Sequence, residues 1–231
     1  MRPTVLLFDI DGTLVTTGGA GRRALERVFE VVYQREDACR GFRFDGMTDR
    51  AIVRNGLRAI GAPDSDAEID RVLGHYVALL EEEVRRMEDS RYFLHRGMRE
   101  VLDAAQERPH CAVGLGTGNI REGARVKLER VGIYHRFGFG GFGCDHEDRP
   151  TLIRIGAERG ARALGVPLSE CRVVVIGDTP KDVAAALAIG GECVGVGTGS
   201  FRPSELIACG AKWAFDDLSQ PGALRAVLEG R

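Results

Sequence analysis

Two kinds of apolar pattern alternate along the chain. Short runs that are apolar throughout occur at Val5–Phe8, Cys111–Leu115, Val173–Ile176, Cys193–Val196 and Trp213–Phe215. Longer stretches carry apolar residues at helical spacing: Gly97–Glu107, Arg121–Val131, Thr151–Leu164, Lys181–Ile189, Pro203–Ala208 and Pro221–Leu228. Spacing of that kind predicts helices with one apolar face, and the uninterrupted runs predict buried strands. Strands buried on both sides, alternating with helices, predict an α/β fold with a parallel sheet covered on both faces.

One region breaks the alternation. From Gly18 to His95 the pattern is helical, with Gly21–Arg35, Asp49–Ile60 and Asp66–Met87 as helices and Ala62-Pro63-Asp64 as a turn. A helical block directly after the first strand predicts a second, small, all-helical domain. The expected division is residues 1–17 with 96–231 as the α/β core and 18–95 as the insert. The glycines of Thr16–Gly21 suit a hinge. "FGFGGFG", Phe137–Gly143, reads as a strand and turn.

Charge narrows the partners. The formal net charge is −2, with acids and bases intermixed, so neither nucleic acid nor an anionic membrane is expected as a partner. No apolar stretch is long enough to span a bilayer, and Asp9 and Asp11 interrupt the only apolar run that could serve as a leader. The six cysteines form no Cys-x-x-Cys pair and no zinc-like spacing with histidine. They read as reduced thiols of a cytoplasmic protein, with Cys111 and Cys193 inside buried strands. His75, His95, His110, His135 and His146 form no cluster.

The residues that follow the strands carry the chemistry, because open parallel sheets bind ligands outside the carboxyl ends of their strands. After the first comes Asp9-Ile10-Asp11-Gly12-Thr13, after the second Thr117-Gly118-Asn119, and after the third Gly177-Asp178-Thr179-Pro180-Lys181-Asp182. Four aspartates gathered at one edge repel each other and are costly to desolvate. A divalent cation resolves that conflict. Oxygen donors without histidine or thiol favour a hard ion, with Mg²⁺ the default, and Mg²⁺ keeps positions open for phosphoryl oxygens.

"DIDGTL", "GLGTGN" and "VIGDTPKD", in this order and spacing, resemble the haloacid dehalogenase (HAD) superfamily of phosphohydrolases. The helical insert resembles the cap of its phosphoglycolate phosphatase-like branch. The resemblance covers essentially the whole chain and implies a Rossmann-like core with an inserted helical cap domain. It implies that Asp9 is the nucleophile that becomes an aspartyl phosphate, and that Asp11 is the general acid and then the base, with a raised pKa. Metal ligands would be the Asp9 side chain, the Asp11 carbonyl and the Asp178 side chain, with Asp182 binding through water or orienting its neighbours. Gly12, Thr13, Thr117, Gly118 and Asn119 would hold phosphate oxygens. The family also has a basic residue, usually lysine, before a proline. Here "EDRPTL" puts Arg149 at that place, and Lys127 of "RVKLERVGI" is the alternative.

The resemblance also separates chemistries. Dehalogenases lack the second aspartate, so Asp11 points to phosphoryl transfer. The insert contains no lysine, so it cannot form the Schiff base of phosphonoacetaldehyde hydrolases. Within it "DGMTDRAI" supplies Gly46, Thr48 and Arg50 as candidate substrate contacts, Arg50 as a partner for a substrate carboxylate. The expected activity is hydrolysis of a small phosphorylated metabolite, 2-phosphoglycolate being the family's favourite, by a monomer or homodimer. A sugar phosphomutase and a catalytically weak phosphometabolite-binding protein are the alternatives.

Overall fold

The computed structural model describes residues 2–231. The chain runs β1 (Thr4–Phe8), β2 (Val15–Thr16), α1 (Ala20–Tyr33), α2 (Asp49–Ala59), α3 (Asp66–Arg86) and β3 (Phe93–Leu94). It continues through α4 (Met98–Gln106), β4 (Cys111–Gly116), α5 (Arg121–Arg130), β5 (Gly140–Gly141), α6 (Arg149–Leu164) and β6 (Arg172–Gly177). The last elements are α7 (Pro180–Ala188), β7 (Glu192–Val196), α8 (Pro203–Ala208), β8 (Trp213–Phe215) and α9 (Ala223–Glu229).

Six strands form one parallel sheet in the order β5-β4-β1-β6-β7-β8. β1 lies between β4 and β6, and all five of its residues are buried. Side chains alternate across a strand, so β1 feeds both layers of the core. Leu6 and Phe8 join Ile176 and Val194 under α4, α5 and α9, through Leu102, Leu128 and Val227. Val5 and Leu7 join Val173 and Val175 under α6 and α7, through Ile153, Ala157 and Val183. That double burial is why the strands read as continuous apolar runs.

Helices α1 to α3 carry an apolar cluster of their own, including Phe29 on α1, Leu57 on α2 and Ile69, Val72 and Leu80 on α3. α5 closes that cluster from the side of the sheet with Val126. The segments leading into and out of the block pair as an antiparallel ribbon of β2 with β3, Val15 opposite Leu94 and Thr16 opposite Phe93. This ribbon was not expected from sequence, which placed no strand between residues 18 and 95; two residues per strand are too few to show a period. Cys193 is buried in β7 as expected, whereas Cys111 opens β4 and is only half-buried. Among the described residues no helix is long and apolar enough to cross a membrane.

Candidate active site

The carboxyl ends of β1, β4, β6 and β7 open into one cavity of about 570 Å³, bounded on the far side by α1, α2 and α3. Asp9 leaves β1 at its floor, and Asp178 leaves β6 beside it. Asp9, Asp178 and Asp182 are all buried, and each offers an oxygen within 4.8 Å of the other two. Burial pushes Asp9 up to about 6; Arg149 opposes this, while Asp182 and Asp11 add to it. Burial, then Asp182 and Asp9, raise Asp178 well above the ordinary carboxylate range.

This donor set fits a hard divalent cation. It is made of oxygen alone, and the one guanidinium among its three carboxylates, that of Arg149, contacts Asp9 and Asp182 but not Asp178. Space is kept around Asp178. Its Oδ1 accepts from Thr13 Oγ1 at 3.0 Å. A Cβ on Gly12, which sits at φ +80°, would lie 2.5 Å from Asp178 Oδ2, and one on Gly199 would lie 1.8 Å from it. Both glycines are therefore required for that oxygen to face the cavity.

Asp182 orients its neighbours. Its Oδ2 accepts from the Thr179 amide at 3.1 Å and the Thr179 hydroxyl at 2.7 Å, tying the first turn of α7. Its Oδ1 accepts from Arg149 Nη2 at 2.5 Å and Nε at 3.0 Å. Both oxygens are thus engaged by protein groups, which favours the orienting role over direct ligation. Arg149 is the first residue of α6 and is buried rather than on a solvated turn. Its Nη2 lies 3.1 Å from Asp9 Oδ2, and its Nη1 donates to the Gly46 carbonyl at 3.3 Å. Arg149 therefore lies beside Asp9, at the place where the resemblance puts a lysine.

Lys127, on α5, is also buried in the site. Its Nζ donates to Asp11 Oδ2 and to Asn119 Oδ1, both at 2.6 Å. Asn119 Nδ2 donates to Asp11 Oδ2 at 2.9 Å, and Thr17 Oγ1 donates to Asp11 Oδ1 at 3.2 Å. The raised pKa expected for Asp11 is corrected by these contacts. Burial raises it, but the Lys127 charge and the three hydrogen-bond donors outweigh burial and lower it. Its carboxylate is not part of the acidic cluster.

The remaining candidates divide. Gly118 lines the cavity and packs so tightly that a Cβ would meet the Met47 carbonyl at 2.4 Å. The Asn119 amide donates to Thr117 Oγ1 at 3.2 Å, while its side chain meets Lys127 and Asp11. Thr117 and Thr13 are fully buried behind the cavity wall, holding Asn119 and Asp178 respectively. In the helical block Gly46 lines the cavity. Thr48 caps α2, accepting from the Ala51 amide at 3.2 Å. Arg50 does not reach the site: it bonds Asp66 at 2.9 Å and also Asp70. Sequence reasoning missed Asp49, Tyr76 and the Thr198-Gly199-Ser200 loop, all of which line the cavity. That loop follows β7, so the strand-end rule applied to "GVGTGS" would have found it.

A parallel sheet with buried carboxylates at its carboxyl edge, a guanidinium between them and a helical block above is the frame of a hydrolase site. The chain belongs to the haloacid dehalogenase-like hydrolases: residues 3–190 match that family. Solved structures share the fold. CbbY from Rhodobacter sphaeroides, in complex with phosphate, is 18% identical with a TM-score of 0.70 over 97% of this chain and 99% of that one. A provisionally named phosphoglycolate phosphatase from Lactobacillus delbrueckii subsp. bulgaricus is 19% identical with a TM-score of 0.66, covering 99% and 100%. A provisionally named β-phosphoglucomutase from Thermotoga maritima is 23% identical with a TM-score of 0.60, covering 98% and 99%. No curated protein matches the sequence.

Proposed function

We propose that the chain is a Mg²⁺-dependent phosphomonoesterase that hydrolyses a small phosphorylated metabolite through an aspartyl phosphate on Asp9. The observation that carries this reading is the carboxylate of Asp9 at the cavity floor with the Arg149 guanidinium 3.1 Å away. An Asp9 oxygen attacks phosphorus while the bond from phosphorus to the ester oxygen breaks. The leaving oxygen takes its proton from Asp11, which is left as a carboxylate held by Lys127 Nζ at 2.6 Å. Water then attacks the phosphorus of the aspartyl phosphate and gives its proton to Asp11. The bond to Asp9 breaks, and inorganic phosphate and the free carboxylate are restored.

Arg149 acts electrostatically, holding Asp9 ionised and facing the phosphoryl oxygens. Asp9, Asp178 and the Asp11 carbonyl would hold Mg²⁺, whose charge lets a carboxylate approach an anionic phosphate. Helices α1 to α3 serve as the cap, excluding water and reading the leaving group. The relatives named as phosphoglycolate phosphatases support 2-phosphoglycolate as one substrate to test.

A turnover screen with Mg²⁺ over p-nitrophenyl phosphate, 2-phosphoglycolate, sugar phosphates and nucleoside monophosphates tests the reading. Turnover that disappears in Asp9→Asn, with the fold retained by circular dichroism, is expected. A dependence on added glucose 1,6-bisphosphate would mark a mutase instead. Silence across the whole panel would leave only a binding protein.

A further inference from the structure

The leaving-group end of the cavity has a polar lining whose charges are already committed. Four basic residues line the cavity: Arg22, Arg43, Lys127 and Arg149. Each has a carboxylate partner. Arg22 bonds Glu26 at 2.8 Å, Arg43 bonds Asp45 at 2.7 Å, Lys127 bonds Asp11 at 2.6 Å and Arg149 bonds Asp182 at 2.5 Å. The cation expected to meet a substrate carboxylate, Arg50, is paired outside the cavity.

What the helical block offers instead is a carboxylate and a phenol. Asp49, buried at the start of α2, accepts from the Ile120 amide through Oδ2 at 2.9 Å. Its other oxygen has no partner among the described residues and belongs to a side chain that lines the cavity. Tyr76 on α3 is completely buried, also lines the cavity, and its hydroxyl has no hydrogen-bond partner among the described residues. It stands close to Lys127: a Cβ on Gly21 would lie 3.7 Å from the Tyr76 hydroxyl and 2.9 Å from Lys127 Nζ. A buried hydroxyl left unpaired costs about 1–3 kcal/mol, so its persistence at a cavity wall points to a ligand that pairs it.

The chemistry of that ligand follows from the donors and acceptors. Asp49 only accepts, Lys127 only donates, and a tyrosine hydroxyl does both. A substrate carboxylate would face Asp49 and be repelled. A substrate ammonium only donates, so it would pair Asp49 and leave the Lys127 side of the subsite without an acceptor. A hydroxyl donates and accepts at once and satisfies all three. We propose that Asp49 and Tyr76 form a hydroxyl-recognition subsite, selecting phosphomonoesters whose leaving group is a neutral polyol or sugar. This rests on the phosphomonoesterase reading above and deepens it. Pairing of this kind discriminates strongly, because a substrate without the hydroxyl leaves the buried groups unmatched.

The test compares kcat/KM of the Mg²⁺-supplied enzyme for glycerol 3-phosphate, ribose 5-phosphate and glucose 6-phosphate with that for 2-phosphoglycolate. The best hydroxylated ester is expected to exceed 2-phosphoglycolate by about tenfold or more. Tyr76→Phe and Asp49→Asn each reduce that ratio about tenfold, mainly through KM. Asn keeps an acceptor for the Ile120 amide, and Phe keeps the packing, so both variants should fold; melting curves check this. Preference for 2-phosphoglycolate, or a ratio unmoved in both variants, overturns the subsite. Failure of the phosphatase reading has a different signature, no turnover even of p-nitrophenyl phosphate. Calorimetry on Asp9→Asn with Mg²⁺ then decides the subsite alone: ribose 5-phosphate binding more tightly than 2-phosphoglycolate upholds it, and equal or reversed affinity overturns it.

Discussion

The Lys127 ammonium lies 2.6 Å from a carboxylate oxygen of Asp11 and is itself buried. The contact joins α5 to the loop after β1 and fixes the charge of the residue proposed to handle the substrate proton. Replacing Lys127 with Met removes both the charge and a donor to Asn119. Turnover should fall by about 10²-fold or more, the usual weight of a general acid–base group. Arginine should restore little, because Gly21 and Tyr76 wall the ammonium in. Steady-state kinetics on both variants check this; an active Lys127→Met enzyme would remove the pair from the mechanism.

Arg149 holds two buried carboxylates at once, Asp182 at 2.5 Å and Asp9 at 3.1 Å. Removing one partner of a buried ion pair costs about 3–5 kcal/mol, because the other is left uncompensated. Arg149→Met should therefore lower the urea midpoint and abolish turnover together. Arg149→Lys should keep part of both, since the role is electrostatic. Full stability in Arg149→Met would show that the carboxylates are compensated from elsewhere.

Asp178 supplies a prediction of two signs. Without metal its carboxylate is a liability, buried beside Asp9 and Asp182. Asp178→Asn should be more stable than the natural chain in the presence of a chelator. With Mg²⁺ the order should reverse, because only the natural chain gains binding free energy in the folded state. Gly199→Ala should also lose the Mg²⁺ response, since its Cβ would fall 1.8 Å from Asp178 Oδ2. Thermal unfolding with and without Mg²⁺ reads both effects; a natural chain whose midpoint ignores Mg²⁺ would refute them.

Where sequence reasoning worked, one pattern carried it. The five longer strands and the helices showed because each element's period is repeated over several residues, and Asp9 and Asp178 showed because they end apolar runs. Lys127 was ambiguous for a physical reason. α5 is covered on two sides, with Ala124 and Leu128 against the sheet and Val126 against the helical block. A single apolar stripe cannot reveal a second covered face. Asp49 was passed over for its neighbour Arg50. Consecutive helical residues point about 100° apart, and only the packing of α2 decides which of the two meets the cavity.

Asp49 also makes a prediction about stability against pH. Burial raises its pKa to about 6, with Lys127 and the Ile120 amide opposing and Asp11 adding to the rise. Burial, and after it the Asp49 charge, raise the Tyr76 phenol well above its ordinary range as well. A carboxyl whose folded pKa is above its unfolded value binds its proton more tightly when folded. Stability from this group is therefore intact below the ordinary value of 3.8 and is lost as pH rises through about 6. The loss amounts to about 3 kcal/mol once both states are ionised. Asp49→Asn is neutral at every pH and keeps an acceptor for the Ile120 amide. Its advantage over the natural chain should be absent near pH 4 and grow toward that figure above pH 6. Urea unfolding of the full chain across this range measures it. A gap that does not widen with pH would mean that Asp49 is as well solvated folded as unfolded. A widening gap would mean that the natural chain carries a destabilising charge at its cavity wall, as expected where a side chain is retained for what it binds.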